Sequence, residues 1–296
     1  MEPCIYLKVG PVVYEICSEE PCMVRKEYSQ FCYAGQEEIP EYEKCRIIHC
    51  SVRMVDRFSP IDGSLIYQNP ERMVFGRDGR EFRLFPGRRD VCGIYREPEE
   101  GKDYIEIELS RNEIPRFEIN LVFMEMLALE RHLLKEEALV LHSSYIVWEG
   151  QGIVFTAPSG TGKSTQAELW RRHAGAEIIN GDRSVLWKDP STGHFQILGL
   201  PFCGSSGINK NVSSPLTAVV FLSQAPENCA EIFPAADSVR RLFGEISINQ
   251  WNPQAVQRGL DLIEQIVRSV KMIHLSCNME PEAVETLMRL VQKDKD

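Results

Sequence analysis

The chain has 296 residues, 43% of them hydrophobic, ten cysteines and a formal net charge of −10. This is the composition of a folded protein with a sizeable core. Its negative field disfavours phosphate backbones and anionic lipid. Neither nucleic acid nor membrane is therefore expected as a partner, and a phosphate site has to be made locally by main-chain N–H groups and a few basic side chains.

No run of about 18 apolar residues occurs, so no transmembrane helix is expected. The opening MEPCIYLKVG lacks a basic region leading into an apolar one. No secretion signal is read there, the cytoplasm is the expected compartment, and disulfides are not expected. His49 beside Cys50 raises the idea of a zinc ligand pair. The absence of any CxxC favours scattered, partly buried thiols instead.

In chain order, residues 1–130 read as a smaller β-rich domain of unassigned role. Ile5–Val9, Val12–Ile16, Arg46–Val52 and Ile105–Leu109 are rich in β-branched residues and are separated by Pro, Gly and charged clusters. Asp62-Gly63 and Asp78-Gly79 are candidate hairpin turns. The carboxylates from Glu97 to Glu100 read as a solvated loop. From Asn120 to Leu134 the apolar spacing becomes helical, with Leu121, Met124, Leu127 and Leu134 on one stripe, which predicts a connecting helix and a domain boundary near residue 130.

Residues 131–296 then alternate. Strands are predicted at Ala138–Trp148, Gly152–Thr156, Glu177–Asn180, Ser184–Lys188, His194–Leu198, Leu216–Leu222 and Met272–Ser276. Helices are predicted from Lys163 to about His173, at Ala235–Glu245, Pro253–Val270 and Pro281–Val291. Asn252 before Pro253 is an N-cap followed by proline at the first helical position.

The informative segment is Ala157-Pro158-Ser159-Gly160-Thr161-Gly162-Lys163-Ser164-Thr165, set between an apolar strand and a helix. This is the context of a phosphate-binding loop. Gly160 and Gly162 let successive N–H groups point inward at phosphate oxygens. The helix N-terminus adds its positive dipole end. Lys163 reaches phosphate as a point charge, and the Ser164 hydroxyl is a Mg²⁺ ligand. Pro158, Ser159, Thr161 and Thr165 complete the candidate nucleotide cradle, with ATP and Mg²⁺ as the expected ligands. The usual first glycine is Ala157, which is tolerable if its φ is negative. An acid follows unusually early: Asp182 ends the next strand, nineteen positions after Lys163. No ABC signature follows, and Asn209-Lys210-Asn211-Val212 lacks the Asp of a guanine-reading motif.

Leu141-His142-Ser143-Ser144, the strand pair ending at Thr156, the loop Ala157–Thr165 and Asn180-Gly181-Asp182-Arg183 together resemble the C-terminal domain of HPr serine kinase/phosphorylase, a branch of the phosphoenolpyruvate-carboxykinase-like P-loop fold. The resemblance covers Val140 to Arg183 well and the remainder to the C-terminus more loosely. Residues 1–130 do not look like the usual HPr kinase N-terminal domain. The chain looks more like the diverse kinase-like relatives found near peptide-modification genes than like a true HPr kinase.

The resemblance implies an α/β fold (α+β overall), with a P-loop core of mixed β-sheet and flanking helices. It implies ATP- and Mg²⁺-dependent transfer of a phosphoryl group to a hydroxyl of a peptide, a protein or a small metabolite, and it is compatible with a homo-oligomer. Lys163 matches the phosphate lysine and Ser164 the metal-ligating hydroxyl. Asp182 matches the second acid of an Asp-Asp pair. The first acid, implicated as the base on the acceptor hydroxyl, falls on Gly181. His142 matches the family's histidine ahead of the loop and stands as a candidate base. A Gly/Ser-dense segment, Gly199 to Gly207, is a candidate for closing the site, with Lys210 neutralising charge. Gly181 also favours a second reading, an ATP-binding module that recognises a peptide or partner without transferring phosphate. A phosphorylase or hydrolase is the third.

Overall fold

The computed structural model describes residues 3–292, which divide into two compact units at His132/Leu133.

The first unit is built on a nine-stranded sheet. Its strands are β1 (Cys4–Val9), β2 (Val12–Ser18), β4 (Cys32–Tyr33), β5 (Arg46–Val55), β6 (Ser64–Gln68), β7 (Met73–Arg77), β8 (Arg80–Pro86), β9 (Val91–Arg96) and β10 (Tyr104–Ser110), while the short β3 (Met23–Val24) and β11 (Glu118–Ile119) pair separately. The order is β4-β1-β2-β5-β10-β9-β8-β7-β6, with β5 parallel to both β2 and β10 and an antiparallel meander from β10 to β6. Period-two patterning sets the buried face: in β5, Ile48, Cys50, Val52 and Met54 point inward and His49 and Arg53 outward.

Several expectations for this unit are corrected. Asp78-Gly79 does form the two-residue turn between β7 and β8, with φ of 49° and 76°. Asp62-Gly63 instead precedes β6, and the β6–β7 connection is closed at Asn69, whose side chain accepts from the N–H groups of Glu71 and Arg72. Glu97 is buried rather than solvated, because Arg131 holds its carboxylate. The connecting helix is two helices, α1 (Leu121–Met126) and α2 (Leu129–Lys135), broken where Ala128 takes a φ of 52°. Leu121 on the expected apolar stripe is exposed. Cys4 and Cys17 form a disulfide, contrary to the expectation of reduced thiols; hairpin pairing of β1 with β2 sets them directly opposite, with Cα atoms 4.2 Å apart.

Charged groups fill part of this unit's interior. The Arg83 guanidinium, fully buried, bonds Glu81 at 2.8 Å and Glu130 at 2.6 Å. Burial alone would raise the Glu130 carboxyl, but Arg83 beside it more than offsets this and holds it down to about 2.

The second unit has a nine-stranded mixed sheet of β12 (Ala138–Trp148), β13 (Gln151–Thr156), β14 (Glu177–Asn180), β15 (Arg183–Lys188), β16 (Phe195–Gly199), β17 (Ser213–Gln224), β18 (Cys229–Ile232), β19 (Ile246–Ser247) and β20 (Lys271–Cys277). Its helices are α3 (Lys163–Ala174), α4 (Ala235–Glu245), α5 (Pro253–Ser269) and α6 (Glu282–Gln292). The long β12 pairs with β15 through its first half and with β13 and β14 through its second. Strands β13, β17 and β20 run parallel, so their C-terminal ends meet at one edge, with Thr156 beside Phe221 and Phe221 beside His274.

Alternation along these strands builds two cores. Ile153, Phe155, Val220 and Leu275 pack with Trp170 of α3 and Leu287 of α6. Val154, Val219, Phe221 and Met272 pack with Leu242 of α4 and Ile263 of α5 on the opposite face. The result is an α/β domain, in an α+β chain, with helices on both faces of a mixed sheet. The Asn252 side chain caps α5 by accepting from Gln254 and Ala255 N–H. Trp170 is buried against Trp148 in the first of these cores. Among the described residues, no helix is long and apolar enough to cross a membrane.

Candidate active site

The loop of residues 157–162 leaves the end of β13 and enters α3 directly, at the strand edge where β17 and β20 also end. Gly160 and Gly162 take φ of 79° and 118°, and Gly162 is the N-cap of α3. A Cβ on either glycine would meet nothing within 4 Å, so the loop stands in open space at both positions. Ala157 is not among the residues with positive φ, which explains why a side chain is tolerated there. Among the described residues, the N–H groups of Gly160, Gly162, Lys163 and Ser164 donate to no other protein group. Unused amides, an open cradle and a helix N-terminus together fit an anion of phosphate type.

Lys163 is buried at the root of the loop and donates from Nζ to the Ala157 carbonyl at 2.7 Å. Burial pushes its ammonium below the ordinary lysine range, while the carboxylates of Glu245 and Asp182 draw it back up. Those two acids are therefore the negative charges acting on Lys163. Ser164 is exposed, its hydroxyl open to solvent in the first turn of α3.

Asp182 is positioned by Asn180, which is fully buried and uses its whole amide. Oδ1 accepts from Asp182 N–H at 2.9 Å and Arg183 N–H at 3.0 Å, and Nδ2 donates to the Leu200 and Phe202 carbonyls at 2.7 and 2.8 Å. This ties the acid to the Gly/Ser segment. A Cβ on Gly204 would come within 2.8 Å of Asp182, and one on Gly181 would lie 2.2 Å from Ser206 Oγ. Gly181 thus has a packing reason: Ser206 fills the place where an acid would begin. Arg183 lies 3.6 Å from Asp182 and over the Phe202 ring.

His142, near the middle of β12, places Nδ1 3.0 Å from Glu245 Oε2 at the last residue of α4. A carboxylate only accepts, so Nδ1 carries a proton, and in the neutral ring Nε2 is the lone-pair nitrogen. The Thr156 hydroxyl donates to the His142 carbonyl at 2.9 Å, which fixes this strand to the root of the loop. Lys210 does not join the group: its ammonium donates to Glu177 at 2.6 Å, at the far end of β14 from Asp182.

Two cavities flank Gly160 and Thr161. One, of about 620 Å³, lies between the loop, the end of β17 and the α4 face of Arg240, Arg241, Gly244 and Glu245. The other, of about 530 Å³, lies over Thr165 and Gln166 of α3, between Gln224 and Ala225 at the end of β17 and Asn278 and Met279 after β20. Sequence reasoning missed Glu245, Asn180 and both cavities. Asn180 was within the quoted motif, but nothing in the sequence joins Glu245 to His142.

Residues 109–280 match the family model of SynChlorMet cassette protein ScmC. The chain belongs to the ScmC family. In the ScmC family match, the loop, His142, Asp182 and Glu245 all fall inside the matched span. No curated protein matches the chain. Among solved structures, the HPr(Ser) kinase/phosphatase from Coxiella burnetii is similar at 14% identity over 52% of this chain and 90% of that chain, with a TM-score of 0.26.

Proposed function

We propose that this ScmC-family chain binds ATP with Mg²⁺ and transfers a phosphoryl group to a hydroxyl of a peptide, a protein or a small metabolite. The observation that carries the reading is the open glycine cradle at the N-terminus of α3, with Lys163 at its root under the charge of both Asp182 and Glu245.

The amides of Gly160, Gly162, Lys163 and Ser164 hold phosphate oxygens, and Lys163 neutralises them. The Ser164 hydroxyl and the Asp182 carboxylate are the chain's donors to Mg²⁺, which neutralises phosphate charge when bound. Glu245 keeps the Nδ1 proton of His142 in place, so Nε2 takes the proton of the acceptor hydroxyl. This supplies a base without an acid at position 181. The cavity over Thr165 and Gln166 takes the base of the nucleotide, and the cavity along α4, which contains Glu245, takes the acceptor.

A specific observation favours a second reading. Ser206 closes the space beside Gly181, as expected of a module that binds ATP without transferring phosphate. Incubation of the purified protein with γ-labelled ATP, Mg²⁺ and a set of serine peptides and small hydroxy compounds separates the two. Label on an acceptor that disappears in Lys163→Ala supports transfer. Tight ATP binding with no label on any acceptor supports the module.

A further inference from the structure

One face of the first unit's sheet carries a second cluster of chemistry-bearing side chains. The β1–β2 ladder sets Cys4 opposite Cys17 and Tyr6 opposite Glu15, and the β2–β5 ladder sets Glu15 beside His49. Glu15 and Cys17 are two residues apart on β2, so they leave the same face. The sulfurs of Cys4 and Cys17 and a carboxylate oxygen of Glu15 lie within 4.8 Å of one another. His49 Nδ1 contacts Glu15 Oε2, and the Tyr6 hydroxyl donates to Glu15 Oε1 at 2.8 Å. Cys4, Glu15 and Cys17 are half-buried and His49 is exposed, so an ion can reach all four. Cys50, the sequence neighbour of His49, points into the core and cannot share a ligand set with it.

We propose that Cys4, Cys17, Glu15 and His49 form a binding site for a divalent ion of zinc type when the two cysteines are reduced, and that the disulfide is the metal-free oxidised form of the same site. The donor set, two thiolates, an imidazole and a carboxylate, is one that suits zinc. Ligand atoms around a tetrahedral zinc stand about 3.3–3.8 Å apart. Cys4, Cys17 and Glu15 already offer ligand atoms within 4.8 Å of one another, and His49 touches the far oxygen of Glu15, so the shell closes when the reduced thiolates and the His49 ring turn in toward an ion beside Glu15. Tyr6, bonded to Glu15, orients the carboxylate from outside it.

The chemistry balances. A phosphine and one water convert the disulfide into two thiols and a phosphine oxide, and the metal then replaces the two thiol protons, which pass to the buffer. A peroxide takes the two electrons back. The S–S bond re-forms, two protons and the peroxide become two waters, and the ion leaves.

The test is zinc retention by the full chain, reduced with a phosphine or left oxidised, then equilibrated with Zn²⁺ and freed of excess. One zinc per chain is expected in the reduced protein and none at this site in the oxidised one. Co²⁺ in place of zinc is expected to give thiolate-to-metal charge-transfer absorption in the reduced protein alone. Cys4→Ser and Glu15→Gln are each expected to weaken zinc binding at least tenfold. His49→Ala, at an exposed position that leaves the core untouched, is expected to weaken it similarly, while Cys229→Ser has no effect. Reduced protein that binds no zinc overturns the site. So does zinc held equally by the wild type and His49→Ala, or cobalt without a thiolate band.

Discussion

Glu245 at the end of α4 and His142 on β12 meet at 3.0 Å although 103 residues separate them. The contact orients the imidazole through Nδ1, and the same Glu245 carboxylate is one of the two acids that act on Lys163.

If the pair acts as a unit, Glu245→Gln and His142→Gln should each lower phosphoryl transfer by about 10²-fold or more, within the range of general-base losses. The double variant should be little worse than either single one. ATP affinity should change little. Additive losses, or losses confined to ATP affinity, would contradict the pairing. Transfer rates and equilibrium binding measured on the same preparations decide it.

Gly244 offers a way to block the acceptor alone. It lines the cavity along α4, and a Cβ there meets nothing within 4 Å, so a larger side chain projects into open space. Gly244→Phe is expected to keep Mg·ADP affinity within about twofold while abolishing label transfer, since the base cavity lies on the other side of the loop. Parallel loss of nucleotide binding would show that the two cavities are not divided in this way.

Restoring an acid at position 181 should fail by itself. A Cβ at Gly181 lies 2.2 Å from Ser206 Oγ, so Gly181→Asp is expected to cost about 1–3 kcal/mol through overpacking. Adding Ser206→Gly should recover the loss. Thermal denaturation of both variants checks this. A Gly181→Asp protein as stable as wild type would mean that the Gly/Ser segment yields readily.

The first unit should unfold at acid pH by a traceable route. Glu130 is held down to about 2 in the fold, against an ordinary value of 4.5. Its stabilisation, about 3 kcal/mol, is therefore complete above 4.5 and lost as pH falls from there toward 2. Arg83→Met removes the buried cation between Glu81 and Glu130, leaving Arg131 on Glu81, and should cost about 3–5 kcal/mol near neutral pH. The same substitution should also remove much of the acid-dependent loss, because Glu130 is then no longer held low. Chemical denaturation as a function of pH measures both.

The parts of this architecture written in contiguous sequence were legible. The strand before the loop, the loop and α3 follow from residues 153–174, and α4 and the Asn252-capped α5 follow from local spacing. Ala157 was legible as tolerable because the question turns on one φ. Other features depend on what lies across the fold. Nothing local marks Glu245 as the partner of His142, or Ser206 as the filler beside Gly181. The Cys4–Cys17 pair comes from strand register, and Glu97 is buried because Arg131 reaches it from α2. The helix over Asn120–Leu134 was misread as continuous because Ala128, a strong helix former, adopts a left-handed φ that its sequence does not advertise.

The most direct test is calorimetric titration of the full chain with Mg·ATP and, separately, pyrophosphate, alongside Lys163→Ala. Saturable one-site binding of both ligands, weakened at least tenfold by Lys163→Ala without loss of fold, is the predicted result. No heat of binding at millimolar ligand, or equal binding by Lys163→Ala, would contradict a phosphate cradle at Gly160 and Gly162.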